Sequence, residues 1–405
     1  MAAITERQPP APRSGVFVEA ALALTGAALT VAAFCADQAW FDRHFLPVFF
    51  LSRSRYVFGE TCARVFAAAF GLTLALLVRP IAGRLVARNS AGRLVVGGLR
   101  IVAAGVLALV ISELGLRVAF SRATEEPSPK NEPFLRHDAR LGWVWVPSRV
   151  AHARVAGRDI AYVFDSHGYR TPALPLPVNP RLPTILFTGE SIMAGYGLRW
   201  EESVPGLVGS AMATQAANLA VFAYADDQSY LRLARELPRF TQPRAVVILF
   251  SPGLVFRDFD DDRPHLEPGL VWSPAAQRSR IEALLRFFVP YHSRADIDRR
   301  LALVRAELQA GVALAHSQGA APLIVVPQFG REDATERTVR ERILDAGGLP
   351  YVQVRLDPTW RLTDHVHPDA RGARVIADAI VERLDQQTAP PALLSRPIRV
   401  NSRAL

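Results

Sequence analysis

The distribution of apolar positions divides the chain in two. Residues 20–36, AALALTGAALTVAAFCA, carry no charge and no polar stripe, and Val16 and Val18 extend the run to 16–36. That is enough to cross a hydrocarbon core of about 30 Å as a helix. Residues 56–78 form a second apolar run and 101–120 a third. The charges within them, Glu60 with Arg64 and Glu113 with Arg117, stand four apart, the spacing of neighbours on one helix face, and both pairs are expected at one membrane surface. From residue 182 the rhythm changes. TILFTG, QAANLAVFA, RAVVILFS, APLIVVPQF and YVQVRL are short apolar runs with helical stretches between most of them, which predicts a mostly parallel sheet covered on both faces. Ahead of it LGWVWVP, AHARVA and IAYVFDSHGYR alternate with strand period between turn residues.

Composition supports two compartments. At 405 residues and half hydrophobic, the chain exceeds one ordinary domain and is rich in apolar residues for a soluble protein. The net charge is +9, but the arginines are scattered and Lys130 is the single lysine. Nucleic-acid binding needs basic residues clustered on one face with stacking aromatics, so that class is set aside. One cluster does matter. Arg79, Arg84, Arg88, Arg93 and Arg100 lie between the second and third runs with no acid among them, and such a loop is expected in the cytoplasm. The amino terminus is then also inside, with 37–59 and everything after 120 on the periplasmic or exterior side. Cys35 and Cys62 fall near the outer ends of the first two spans, where a disulfide and two buried thiols are both open. SRATEEPSPKNEP reads as a linker. The expected organisation is a membrane region over 1–120, a linker and β-rich segment over 121–181, an α/β domain over 182–388 and a tail over 389–405.

In an open parallel sheet the working residues stand beyond the carboxyl ends of the strands. Ser191 does so, directly after TILFTGE and at the start of a helix, where free N–H groups can stabilise an oxyanion and where a serine otherwise serves as an N-cap. Near the other end, in TDHVHPDARG, Asp364 and His367 stand three apart before a helix that carries Val375, Ile376, Ala379 and Ile380 on one side. A carboxylate at that spacing can fix the imidazole tautomer and leave the second nitrogen to accept a serine proton. His365 is a decoy whose offset turns it away.

With both halves in hand the sequence resembles the SGNH hydrolase superfamily, the GDSL-type esterases and lipases, over about 182–384. FTGESIMAGYGL is similar to the first family block, with Gly189 and Ser191 in place and Glu190 where Asp is usual. TDHVHPDARG is similar to the last block. The resemblance implies a flavodoxin-like α/β fold, Ser191 as nucleophile, His367 as base, Asp364 as its orienting partner, and an oxyanion hole from the N–H groups of Ser191 and Ala223. In NLAVFAYADDQSYLRL, Ala223 occupies the position of a glycine. In LFSPGLVFRD, Leu254 or Val255 stands where the family has an asparagine donor, leaving Asn218 and Arg257 as candidate replacements. No metal or cofactor is implied.

The expected activity is a membrane-anchored serine ester hydrolase acting on acyl groups, of the acetyl kind, on an envelope glycan. An O-acyltransferase with the same triad and a glycan-binding scaffold that has lost its oxyanion hole stand as alternatives. The expected partners are an ester substrate and, through three helices, membrane lipid. Residues 251–300 form an irregular insertion. Its acidic cluster, Asp258, Asp260, Asp261 and Asp262, reads as a solvated loop ahead of a cation site, and LLRFFVPYH reads as core ahead of a pocket lining or a segment resting on the membrane.

Overall fold

The computed structural model describes residues 13–47, 53–88, 91–119, 134–276, 278–288 and 291–388. The chain forms two compact units, one of Met1–Ser121 with Arg278–Ile297 and one of Arg122–Gln277 with Asp298–Leu405.

In the first unit α1 (Arg13–Cys35), α2 (Arg53–Thr73) and α3 (Ala91–Ala119) are the long helices. Helix α2 continues through a π-helical stretch, Leu74–Val78, into a further helix, Arg79–Arg88. Among the described residues three stretches are long and apolar enough to cross a membrane: Gly15–Cys35, Val57–Val86 and Val95–Ala119. Their large side chains, Phe17, Leu24, Phe66 and Ile101 among them, point outward, as surfaces made for lipid do. The arginine-rich segment expected as a loop is instead helical over Arg79–Arg88 and from Ala91 onward, with Pro80 and the pair Gly97 and Gly98 carried inside those helices; residues 89–90 lie outside the described residues.

Small residues let α1 and α2 meet. A Cβ on Gly26 would lie 2.4 Å from the Gly71 carbonyl oxygen, and one on Gly71 would lie 2.6 Å from that of Gly26, the close backbone approach typical of helices packed in lipid. Arg64 bridges 3.4 Å to Glu60 and donates 2.8 Å to the Ala33 carbonyl, so this charge is used between helices. Arg117 pairs with Glu113 at 2.8 Å. Cys35 and Cys62 are free thiols. Residues Arg278–Ile297, which include LLRFFVPYH, belong to this unit rather than to the core of the α/β domain, and Leu284 and Leu285 are exposed.

The second unit is built on one eight-stranded sheet. Its strands are β1 (Arg149–Val155), β2 (Arg158–Phe164), β3 (Arg170–Thr171), β4 (Thr184–Thr188), β5 (Gln215–Asn218), β6 (Pro243–Leu249), β7 (Ala321–Phe329) and β8 (Tyr351–Leu356). The spatial order is β8-β7-β6-β4-β5-β3-β2-β1. Strands β4 to β8 run parallel in the flavodoxin-like order, and β1 to β3 extend the sheet as an antiparallel meander. From Arg149 on the β-rich segment is thus hydrogen-bonded into the same sheet as the parallel strands, whereas Leu135–Asp138 and Gly142–Trp145 form a separate two-stranded antiparallel sheet. Because β4 is covered on both faces, all five of its residues are buried, which is why it reads as a continuous apolar run rather than an alternating one.

Helices α5 (Val204–Ala211) and α9 (Ala370–Thr388) pack together. Ile376, Ala377 and Ile380 of α9 share a core with Val247 and Leu249 of β6. On the opposite face, α6 (Asp226–Glu236) meets α8 (Arg294–Ser317), whose Gly311 approaches Ile248, Leu233 and Tyr230. Successive β6 residues therefore serve opposite layers.

The chain leaves β4 at Gly189 with φ +141°, and a Cβ there would stand 2.6 Å from that of Leu249. That backbone region is essentially reserved for glycine. Gly189→Ala is expected to destabilise the protein by about 2 kcal/mol or more, read as a lowered midpoint in thermal unfolding of the detergent-solubilised full chain.

Candidate active site

In a flavodoxin-like sheet the strand order reverses beside the first parallel strand, and the loops there diverge to leave a crevice. Strand β4 is that strand, and Ser191 opens the short helix α4 (Ser191–Ala194) immediately beyond it. The N-cap is Glu190, whose side chain accepts the Ile192 N–H at 3.2 Å. Ser191 is therefore not engaged in capping, although its side chain is only 5 % exposed.

The loop before α9 brings His367 to it. His367 Nε2 lies 2.7 Å from Ser191 Oγ, and Nδ1 lies 2.7 Å from Asp364 Oδ2. The other Asp364 oxygen accepts the N–H groups of Val366 (2.9 Å) and His367 (3.0 Å). Burial raises the Asp364 pKa, but these two N–H groups and the imidazole outweigh it and hold the carboxyl below its ordinary value. An ionised carboxylate only accepts, so in neutral His367 the Nδ1 carries the proton and Nε2 is free to take one from the hydroxyl. The loop is closed by Leu362 N–H donating to the His367 carbonyl at 2.8 Å, and the Tyr196 ring backs the imidazole, centroids 4.3 Å apart. His365 is exposed at φ +59°.

The hydroxyl has a second acceptor in reach: Glu190 Oε2 competes with His367 Nε2 for its one proton, and in turn lies 3.6 Å from Arg257 Nη1. Glu190 thus touches the same hydroxyl oxygen as His367.

Ala223 sits at φ +62° in an exposed turn, the left-handed conformation that a glycine adopts freely. Its N–H has no hydrogen-bond partner among the described residues, and the reason lies one atom group away. Trp143 Nε1 donates to the Phe222 carbonyl at 2.9 Å. In a trans peptide the N–H points opposite to that carbonyl, so the indole aims the Ala223 N–H away from itself. The flanking carbonyls of Ala223 and Tyr224 accept from Arg263 (2.9 Å) and Arg257 (3.2 Å). Asn218 is committed elsewhere: its amide donates to the Met193 carbonyl at 3.1 Å and accepts the Ala220 N–H at 3.1 Å. Val255 is buried, and Leu254 lines a small cavity with Glu190, Tyr224, Asp226 and Ser251. Neither carries a side-chain donor.

Sequence reasoning missed three supports. Arg170 is fully buried and donates to the carbonyls of Ala194 (2.6 Å), Gly195 (2.9 Å) and Leu198 (2.6 Å), fixing the turn behind the serine helix. Burial lowers its pKa to about 10, against the pull of Tyr162, whose ring lies 4.4 Å away. Tyr196 was signalled only by its flanking glycines, both at positive φ. The third support is Trp143.

The acidic cluster also differs from expectation. Asp258 is buried, not solvated, and belongs with buried Asp227 and Glu307 and with Asp226. Burial first, then mutual repulsion, raises Asp226 and Glu307 well above ordinary carboxylates and pushes Asp258 up to about 7. Among the described residues no group of three or more His, Cys, Asp or Glu side chains could hold a metal ion.

No protein-family model and no curated protein matches the chain. Solved structures similar to it are GDSL-family lipolytic proteins and carbohydrate esterases. A member of the lipolytic G-D-S-L family from Veillonella parvula is 12% identical, covering 49% of this chain and 96% of its own, TM-score 0.32. A carbohydrate acetylesterase family member from Sinorhizobium meliloti is 13% identical, covering 51% and 98%, TM-score 0.33. A family two carbohydrate esterase from Clostridium thermocellum, in complex with cellohexaose, is 12% identical, covering 52% and 66%, TM-score 0.34. These are partial likenesses, and the chemistry of the site stands on its own geometry.

Two outcomes follow from this site. Ala223→Gly relieves a left-handed alanine and is expected to stabilise the protein by about 1 kcal/mol, measured by denaturant unfolding. Asp258 binds its proton more tightly folded than unfolded, so its contribution to stability is complete below about pH 4 and is lost as pH rises through about 7. The thermal midpoint should fall across that window, and Asp258→Asn should flatten the slope.

Proposed function

We propose that the chain is a membrane-anchored serine esterase of the SGNH type, with Ser191 as nucleophile, His367 as general base and Asp364 orienting it. The observation that carries this reading is the 2.7 Å approach of Ser191 Oγ to His367 Nε2 across 176 residues of sequence, within the reach that a nucleophile and its base require. The hydroxyl proton moves to His367 as Oγ attacks an ester carbonyl. The imidazolium then returns it to the departing alcohol, and the acyl-enzyme passes its group to water. Half-buried Tyr196 lies against His367 and half-buried Phe222 against Tyr196, centroids 4.3 and 5.3 Å apart, beside exposed Ala223, a setting suited to a small acyl group on a bulky, solvent-borne carrier such as an envelope glycan. Transfer to a sugar hydroxyl instead of water would use the same residues.

The catalytic unit faces the periplasm or exterior in this reading, on the side away from the arginine-rich segment 79–100. Phe45–Pro47, between the first two spans, pairs with Tyr291–Ser293, beyond the third, and Glu113 accepts the N–H groups of Arg280 and Ile281 at 2.9 and 3.1 Å. Two crossings separate the paired strands in sequence and return the chain to one side, which supports spans two and three both crossing.

A fluorophosphonate probe should label the full-length protein in membranes, and Ser191→Ala should abolish labelling; absence of labelling on folded wild type would overturn the reading. For sidedness, in a background without Cys35 and Cys62, Ser273→Cys should react with an impermeant maleimide in intact spheroplasts, and Ser90→Cys only after permeabilisation.

A further inference from the structure

Arg257 follows directly on the segment in which the family's asparagine donor is missing, and three observations mark it out. Its side chain is largely buried yet keeps 16 % of its surface open, so the guanidinium reaches the crevice. It donates a single hydrogen bond, from Nη1 to the Tyr224 carbonyl, and among the described residues Nε and Nη2 donate none. Its ion-pair partner, Glu190 Oε2 at 3.6 Å, is the same oxygen that hydrogen-bonds Ser191 Oγ. The cation therefore stands one carboxylate away from the nucleophile, beside the turn that presents the Ala223 N–H.

A guanidinium carrying unengaged donors in a low-dielectric crevice is an anion site. The two departures from the family pattern, Glu190 for Asp and no asparagine at Leu254 or Val255, meet at this one side chain. We propose that Arg257 is the third stabiliser of the oxyanion, replacing the absent asparagine, with Glu190 holding it in place while the site is empty. This rests on the esterase reading above. When Ser191 Oγ bonds to the carbonyl carbon, the carbonyl π pair moves onto oxygen and the hydroxyl proton moves to His367 Nε2. The N–H groups of Ser191 and Ala223 and the Arg257 guanidinium then share the new negative charge. Stabilisation arises mainly in the transition state, because the ester carbonyl carries no full charge. The ligand class is thus the tetrahedral oxyanion of an acyl ester.

The test uses full-length protein in detergent micelles with p-nitrophenyl acetate, comparing wild type with Arg257→Lys, Arg257→Gln and Arg257→Met. Removing an oxyanion donor lowers kcat by about 10² to 10³. That loss is expected for Arg257→Met, with KM changed by less than about threefold and with affinity for phenylboronic acid, whose serine adduct is a tetrahedral anion, falling in parallel. Arg257→Lys, which keeps the charge, should recover about tenfold or more of the lost kcat. A merely structural role would raise KM and lower the thermal midpoint in Lys, Gln and Met variants alike, and that pattern overturns the proposal. So does an Arg257→Met enzyme with kcat and boronate affinity within about threefold of wild type. If wild type neither turns over ester nor labels with fluorophosphonate, the esterase reading itself fails and the proposal falls with it.

Discussion

A buried cation with no carboxylate in contact is an unusual thing for a fold to keep, and the candidate site is organised around one. Arg170 stands in the two-residue strand β3, fully enclosed, with its guanidinium directed at three carbonyls of the turn that follows Ser191. Taking a guanidinium out of water is costly, and three short hydrogen bonds with an aromatic face at 4.4 Å are what offset it. Those carbonyls belong to a four-residue helix and its exit, where among the described residues Gly195 alone of the three has a local donor, the Leu198 N–H at 3.2 Å. The position of Ser191 is thus set from behind, and a Cβ on Gly195 would come within 2.4 Å of the Arg170 guanidinium. That glycine and that arginine are one constraint seen from two sides.

The antiparallel strands therefore do more than widen the sheet. Arg170 from β3 and the Tyr162 hydroxyl from β2, accepting the Gly197 N–H at 2.7 Å, reach one of the two loops that flank the serine; Trp143 and Trp145, from the separate strand Gly142–Trp145, donate to the Phe222 and Ala220 carbonyls of the other. Parallel strands deliver the loops, and the added strands immobilise them. Preorganised donors stabilise a transition state because they do not reorient during the reaction, so this bracing bears directly on the chemistry of the crevice.

The sequence announces features whose cause is local. The buried strand TILFT, the three apolar helices and the Asp-x-x-His turn each write a periodicity or spacing into neighbouring residues, and the order of the serine and histidine blocks along the chain supplied the rest of the triad. Long-range contacts carry no such mark. Nothing near Arg170 distinguishes it from the other scattered arginines, and Trp143 reads as an ordinary strand residue until its indole is seen to turn the Ala223 N–H outward. The insertion was misjudged for the same reason. Asp258 looks like one of four solvated acids because the partners that enclose it, Asp226, Asp227 and Glu307, come from two distant helices. LLRFFVPYH looks like core because an apolar helix face does not say which body it belongs to. The arginine-rich stretch looked like a loop because charge marks sidedness and not where a helix ends.

Charge around Ser191 follows from these same placements. Burial keeps Asp226 and Asp258 from ionising readily, so these acids add little negative charge beside the hydroxyl. Glu190 is the carboxylate in contact with it, and Arg257 Nη1 lies 3.6 Å from that carboxylate. Arg257 and Arg263 each hold a backbone carbonyl of the Ala223 turn. A neutral amide there could supply a hydrogen bond but could not oppose a carboxylate in contact with Ser191, and a guanidinium does both.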